Sequence, residues 1–576
     1  MIDLSFSEDR LRTNYIPSEN EVKAIKQLLA APSERLAFLD GEISRVQTLL
    51  DKLSHERDTL TESISAHRAL LSPARRLPED VLREIFLHCL PTTHNSVMSE
   101  YAAPLILGQI CSMWRSITLS TPSLWASLHV SVPALSHEVE TATDPHLLNK
   151  AVQGWLTRSG ICPLSISIAC SKFRSADIET VNLLIRTLIS YSARWRDIQL
   201  FIPARAWSLL SEISKESVPL LEYAALDGYN GPFVGGVPLV SNNDWTSTGL
   251  FTAKGLRSVF LARVEADPIN LPVSWSQLTN LCLKGDEEWG TVGLSTSAAL
   301  EVLKKCMNLR KCNLQMIKLE IDIPLNAATE PPLVLPHLET LSVTESTYGD
   351  ALELFSRLDL PGVRCIRFYT QPTIPTPLTE HPVHASIITL LQRVPHIESF
   401  VLDAHAMPAG DIVECLRTIP SIKHLSFTSY DALAYREGYL GSGDYWDYPY
   451  FPTSDARTSP VNNSILELLT PSRENNGRCF CPLLEVFECN QGDFSDAALL
   501  AFIRVKNEGT YEGVSKLTKV TVSFPRTKEL DIENAVLEFS AGMKIKIYYR
   551  PAFRDFTNYS PWNGLRYGGE TPWPIF

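Results

Sequence analysis

The 576-residue chain lacks any apolar run long enough to cross a bilayer, so no helical membrane span is expected. Its first ten residues mix Asp3, Glu8 and Asp9 with single apolar residues. They lack the basic-then-apolar order of a secretory leader. Positive charge is scarce: 52 Lys and Arg against 65 Asp and Glu leave a formal charge of −13, and no local basic cluster offsets it. Nucleic acid, whose phosphates demand positive charge, is not an expected partner. Phosphate-cradling glycine loops are missing, since Gly235-Gly236 runs into Val237-Pro238 and neither G-x-x-x-x-G-K-[ST] nor G-x-G-x-x-G occurs. Gly441-Ser442-Gly443 lacks the outer positions of a G-x-S-x-G nucleophile elbow. Cys479-x-Cys481 and His381-x-x-His384 each lack a second ligand pair. Cys481 also leads into Pro482-Leu483-Leu484, where a packed thiol is the expectation. The twelve cysteines are scattered and read as reduced, buried thiols. Together these absences point to a chain without catalytic, metal or cofactor chemistry. Its expected location is cytoplasmic and/or nuclear.

What is present is globular. Hydrophobic content of 44% with 20% charged residues excludes a disordered or fibrous chain. Three regions differ in pattern. Residues 33–72 read as one long helix, with apolar positions at Leu36, Leu39, Ile43, Val46, Leu50, Leu53, Leu60, Ile64 and Leu71. The steps alternate three and four, a heptad seam interrupted by Arg57 and His67. Pro32-Ser33 supplies the start signal and Pro73 the stop. Such a stripe either folds back on the next domain or pairs with a second copy as a coiled coil.

Residues 74–128 form a short helical region. Pro78, Glu79 and Asp80 open a helix with proline and acids where they are favoured. Val81, Leu82, Ile85, Phe86, Cys89 and Leu90 then cover more than one face. After a polar loop, Leu105, Leu107, Ile110, Cys111, Trp114 and Ile117 recur at helical spacing, and Ser120-Thr121-Pro122 leads into Leu124-Trp125. Some fifty residues cannot bury this much apolar surface among themselves, so a partner is expected. The alternative is a helical hairpin packed on its own chain.

The order Leu77-Pro78, Leu82, Ile85-Phe86, Leu90, Ile110-Cys111, Trp114-Arg115, Leu124-Trp125 resembles an F-box, in particular the F-box proteins expanded in mushroom-forming fungi. The longer, more polar stretch between Leu90 and Leu105 departs from the compact pattern. The resemblance implies docking to a Skp-type adaptor, and through it to a cullin. Its implied adaptor-binding residues are Leu77, Pro78, Val81, Leu82, Ile85, Phe86, Leu90, Cys111, Trp114, Leu124 and Trp125.

Residues 150–530 repeat irregularly. Apolar triplets recur as Leu256-Val259-Leu261, Leu278-Leu281-Leu283, Leu338-Leu341-Val343, Val363-Ile366-Phe368, Ile397-Phe400-Leu402, Ile422-Leu425-Phe427 and Leu484-Phe487-Cys489. Prolines 336, 361, 395, 420 and 482 punctuate them, and helical patterns fill the intervals, as at Ala299 to Cys306 and Ala497 to Val505. This resembles a leucine-rich-repeat solenoid, and the fold class expected is α/β with parallel strands. The asparagine often found after the strand is absent: Asp286, His405 and Tyr430 stand there. The alternative is a non-repetitive α/β domain.

Two aromatic segments depart from the repeat. The insert 429–460 carries Tyr435, Tyr439, Tyr445, Trp446, Tyr448 and Tyr450, rigid rings suited to target binding or to local capping. The tail 531–576 is similarly aromatic, and covering the open end of the solenoid is its expected role. The functional expectation is a substrate-recognition subunit of a cullin–RING ubiquitin ligase, the solenoid holding an unknown protein target. The alternative is a non-catalytic scaffold that forms a homodimer through the N-terminal helix.

Overall fold

The structure is a computed structural model that describes residues 13–92, 94–132, 145–170, 178–229, 248–262, 268–285, 293–317, 331–346, 350–370, 386–394, 396–404, 407–428, 460–472, 477–524, 526–540 and 542–549. The chain divides into two compact units, Met1–Leu82 and Arg83–Phe576.

In the first unit, α1 runs from Glu19 to Leu70, 52 residues. It starts well before the expected Pro32-Ser33 boundary because a capping box sits upstream. The Glu21 carboxylate accepts from both the Ser18 N–H and the Ser18 hydroxyl, each at 2.8 Å. Glu19 and Glu21 also place negative charge in the first turn, where the helix dipole favours it. Pro32 lies inside the helix and costs one backbone hydrogen bond without ending it. Pro73 opens a single 3-10 turn, Pro73–Arg76.

Helix α2 (Glu79–His88) follows with Glu79 and Asp80 in its first turn, as the sequence predicts. It crosses the boundary between the two units. The helical region 74–128 is therefore not a body of its own, and its part from Arg83 onward belongs with the sheet. Helices α3 (Leu107–Ile110) and α4 (Ser112–Ser120) come next. At their junction Cys111 caps α4, its sulfur accepting from the Trp114 N–H at 3.5 Å. Trp114 reaches back to α2, its ring 4.8 Å from that of Phe86.

Among the described residues, fourteen parallel strands form one sheet in simple chain order. The first seven are β1 (Ser127–Val132), β2 (Leu164–Cys170), β3 (Trp195–Pro203), β4 (Tyr223–Tyr229), β5 (Ser258–Ala262), β6 (Asn280–Lys284) and β7 (Lys311–Met316). A two-residue pair, β8 (Leu333–Val334) with β10 (Leu358–Asp359), stands apart. The sheet continues through β9 (Thr340–Glu345), β11 (Cys365–Thr370), β12 (Ser399–Asp403), β13 (His424–Thr428), β14 (Val486–Cys489), β15 (Lys519–Phe524) and β16 (Lys544–Tyr549). A doubly wound domain reverses its strand order at a switch point. This sheet never reverses, so it is a leucine-rich-repeat-like solenoid.

All seven apolar triplets fall as expected, the last two residues of each on one strand and facing the core. Leu256, Leu278, Leu338, Ile397, Ile422 and Leu484, which lead those strands, are fully buried, and Val363 nearly so. Helices Leu352–Arg357, Ser386–Leu391 and Ala409–Thr418 pack successively on one another beside the sheet. The positions of the missing turn asparagine (286, 405 and 430) lie outside the described residues. The strand entrances are held by the backbone itself. From Glu222 onward one carbonyl per repeat accepts from the next repeat: Glu222 from Arg257 and Ser258, Arg257 from Thr279 and Asn280, and so on through Glu485 to Thr518 and Lys519. From Arg310 onward the side chains of that column alternate in charge (Arg310, Glu339, Arg364, Glu398, Lys423, Glu485), with Arg310–Glu339 at 3.7 Å and Glu398–Lys423 at 3.9 Å.

The sheet is longer than its expected limits of 150 and 530. Its first strand starts at Ser127. Helix Ile532–Leu537 and β16 add a last repeat inside the expected tail. Both edges are protected. The His129 N–H of β1 donates to the Ser96 carbonyl at 2.7 Å, which pairs residues 96–97 with the first strand. On the last strand Lys544 and Lys546 are exposed, charges that discourage pairing with another sheet.

Candidate protein-interaction surfaces

The implied adaptor-binding residues separate into two groups. Leu82 and Phe86 are 0% exposed, as is Leu124, and Trp125 is 2% exposed. A side chain without exposed surface has nothing to offer a partner in this conformation, so these four form the interior. Trp125 shows why they are fixed: its indole N–H donates to the Thr118 carbonyl at 2.8 Å, and its ring meets Trp155 edge-on at 4.8 Å. Pro78, Val81 and Ile85 are exposed, the last two at 41% each. Val81 and Ile85, four apart, share one face of α2, one position away from the buried Leu82–Phe86 stripe, and Pro78 immediately precedes the helix. Leu77, Leu90, Cys111 and Trp114 are half-buried. Ile106, Ile110 and Leu119 are also exposed and were not singled out as contacts from the sequence. The helical segment is thus neither fully closed nor fully open.

The second surface is the sheet face opposite the core. Across β2 to β6 it carries an apolar cluster of Ala169, Phe201, Ala225, Phe260, Ala262 and Cys282, with Tyr223 packed against it. Phe260, Ala225 and Cys282 have no exposed area, so this stretch is shut off from solvent. Toward the C-terminus the same face becomes polar and partly open. Ser399 on β12, His424 on β13 and Lys519 on β15 lie at one level of the sheet, and Glu488 of β14 stands two residues further along, beside Ser426 and Thr521. The Ser399 hydroxyl lies 3.0 Å from His424 Nδ1, His424 Nε2 lies 3.5 Å from Glu488, and Lys519 Nζ lies 2.8 Å from Glu488. The His424 hydrogen bond outweighs the opposing effect of burial and, with Lys519, holds the Glu488 carboxyl down at about 2. Serine, histidine and carboxylate linked in this order suggest a nucleophile relay. However, the Ser399 N–H is taken by the Arg364 carbonyl at 2.9 Å, so it cannot serve as an oxyanion donor.

The aromatic positions Tyr435, Tyr439, Tyr445, Trp446, Tyr448 and Tyr450 lie outside the described residues, as do His381 and His384 and the tail beyond Tyr549. Among the described residues no group of three or more His, Cys, Asp or Glu could hold a metal ion, and no helix is long and apolar enough to cross a membrane. Cys481 is fully buried, and burial pushes its thiol up to about 12.

One buried histidine makes the sheet's first repeats sensitive to pH. His129 is 2% exposed, and its Nδ1 lies 2.9 Å from the Ser167 hydroxyl. Burial, with the nearby His94, pushes it down to about 3. A base with a depressed folded pKa is neutral in the fold and charged once unfolded. Its stabilising contribution is complete above the ordinary value of about 6.5 and is lost as pH falls from there towards 3. At pH 5 the loss is about 2 kcal/mol. Urea unfolding of wild type and His129→Asn at pH 7.5 and 5 should show that the variant loses less stability than wild type. An identical pH dependence would contradict the assignment.

No family model and no curated protein sequence matches the chain. Among solved structures, one described as "Crystal structure of TLR13-ssRNA13 complex" aligns at 13% identity with a TM-score of 0.24. The alignment covers 74% of this chain and 52% of that one, so the chain spans about half the length of the protein it matches. So slight a likeness adds nothing to what the strand order establishes.

Proposed function

We propose that this chain is a substrate-recognition subunit of a cullin–RING ubiquitin ligase. In this reading α2 and the short helices after it dock on a Skp-type adaptor, and through it on a cullin, while the solenoid holds a protein target. The chain performs no bond chemistry. It tethers, raising the effective concentration of target lysines beside a ubiquitin-loaded enzyme. The observation that carries the reading is the exposed apolar pair Val81 and Ile85 on a helix, preceded by exposed Pro78, in a segment whose sequence resembles an F-box. Exposed aliphatic side chains grouped on one helix face are what an adaptor groove would cover.

The test is co-purification of the full chain with a Skp-type adaptor. Val81→Glu with Ile85→Glu changes exposed positions and should leave the fold intact, as thermal unfolding would verify. Adaptor recovery should fall by about thirtyfold or more, the loss of roughly 2 kcal/mol expected of interface anchors. Leu77→Ala with Pro78→Ala should weaken it in the same direction. Unchanged recovery in the glutamate variant would refute the docking assignment.

A further inference from the structure

Among the described residues of the first unit, the long helix α1 leaves an apolar seam exposed. Leu36, Ile43, Leu50 and Ile64 are 51–65% exposed, and Leu39, Val46, Leu53 and Leu60 are 42–56% exposed. Numbered as a heptad, the first four hold position a together with Arg57, and the second four hold position d. Four heptads of this kind with polar flanks are the sequence basis of a coiled coil. The open question is what covers them, and the side chains answer it.

We infer that α1 pairs in register and in parallel with α1 of a second copy of this chain. Three observations select that occupant. Isoleucine holds two of the four apolar a positions (Ile43, Ile64, beside Leu36 and Leu50) and leucine three of the four d positions (Leu39, Leu53, Leu60, beside Val46), and isoleucine at a with leucine at d favours two strands over three or four. The flanking charges fit a parallel alignment. Arg35 at g meets Asp40 at e of the second copy, and the remaining g–e pairs (Glu42 with Gln47, Leu49 with Ser54, Glu56 with Thr61, Ser63 with Arg68) contain no like charges. The one charged a position is also answered. In parallel register Arg57 packs beside Glu56 of the other helix, so the two arginines at that layer are flanked by two carboxylates. Antiparallel alignments do worse. Centred near Thr48, one sets Glu42 against Glu56; centred between Leu50 and Leu53, another sets Arg57 against apolar Val46. A single polar layer at a is a device that fixes register and strand number. Two copies joined this way would carry two solenoids, and a target with two sites would be held more tightly than by either alone. This pairing is independent of adaptor docking, and either can fail without the other.

Sedimentation equilibrium of the full chain tests it, with the expected mass twice the 64.3 kDa of one chain. Ile43→Glu with Leu50→Glu, both exposed in the single chain, should give a monomer whose strands keep wild-type unfolding while α1 loses helicity. Orientation is read from Arg57→Cys. In parallel register the new thiol faces its own copy at a distance a disulfide can span, so mild oxidation should yield a covalent dimer that the unmodified chain does not form. A monomeric wild type, a trimer, a dimer that survives the glutamate pair, or no Arg57→Cys cross-link would each overturn the proposal.

Discussion

Replacing Phe487 with alanine is expected to destabilise the solenoid by about 3–5 kcal/mol, the range for removing a buried aromatic ring. Phe487 is fully buried on β14. Its ring meets Phe502 at 5.4 Å and Phe427 on β13 at 6.3 Å, both edge-on. It therefore joins two adjacent strands to the helix Asp496–Glu508 that covers them. Edge-on aromatic pairs add to plain burial, and the cavity left by alanine has rigid neighbours that cannot collapse into it. In a solenoid each repeat leans on its neighbours, so the loss should appear as earlier unfolding of the C-terminal repeats. Urea titration with amide exchange reads it, and a change below about 1 kcal/mol would show that this contact does not hold the repeats together.

The second large effect is expected at Asp496, where alanine should cost about 3 kcal/mol. Its side chain is fully buried at the start of helix Asp496–Glu508, yet it is charged. Burial alone would raise the carboxyl. Arg526 at 2.6 Å, the N–H groups of Leu530 and Glu529 at 2.8 and 2.9 Å, and the Tyr549 hydroxyl at 3.0 Å together outweigh burial and hold it low. One carboxylate thus ties the last helix and the last strand to the repeat before them. Alanine leaves two amides without their acceptor and takes from Arg526, which is 27% exposed and keeps the Phe494 carbonyl and Glu529, its closest ion-pair partner. Tyr549→Phe removes one donor and should cost about 1 kcal/mol. Because the carboxyl is depressed in the fold, its contribution is present at neutral pH and fades as pH drops below about 4. Chemical denaturation monitored at the exposed Tyr548 and at Tyr549 would follow it. Equal stability of Asp496→Ala and wild type would contradict the tie.

The repeat was legible where leucine spacing was regular. Seven triplets predicted seven strands because apolar residues two apart on a strand must share the buried face. The ends were not legible. β1 and β16 are a serine-histidine-valine strand and a lysine-isoleucine-tyrosine strand, which carry no leucine triplet. Pro32 misplaced the start of α1 because a proline can sit at a helix start or be tolerated inside one. The capping box at Ser18 and Glu21 decides between the two. For the candidate site the limit was geometric. Val81–Ile85 and Leu82–Phe86 are both spaced four apart and are both apolar, so the sequence shows two adjacent stripes on α2 without saying which turns inward. The alternating charges of the strand-entrance column, from Arg310 and Glu339 to Lys423 and Glu485, were in plain view. They acquire meaning once the strands are set side by side.

The central claim is that the exposed stripe of α2 is a docking surface, and amide exchange on the full chain with and without a Skp-type adaptor tests it most directly. The account predicts slowed exchange across Glu79–His88 on addition of the adaptor, with the strands from β5 to β15 unchanged. Slowed exchange confined to the strands, or none anywhere at saturating adaptor, would contradict it.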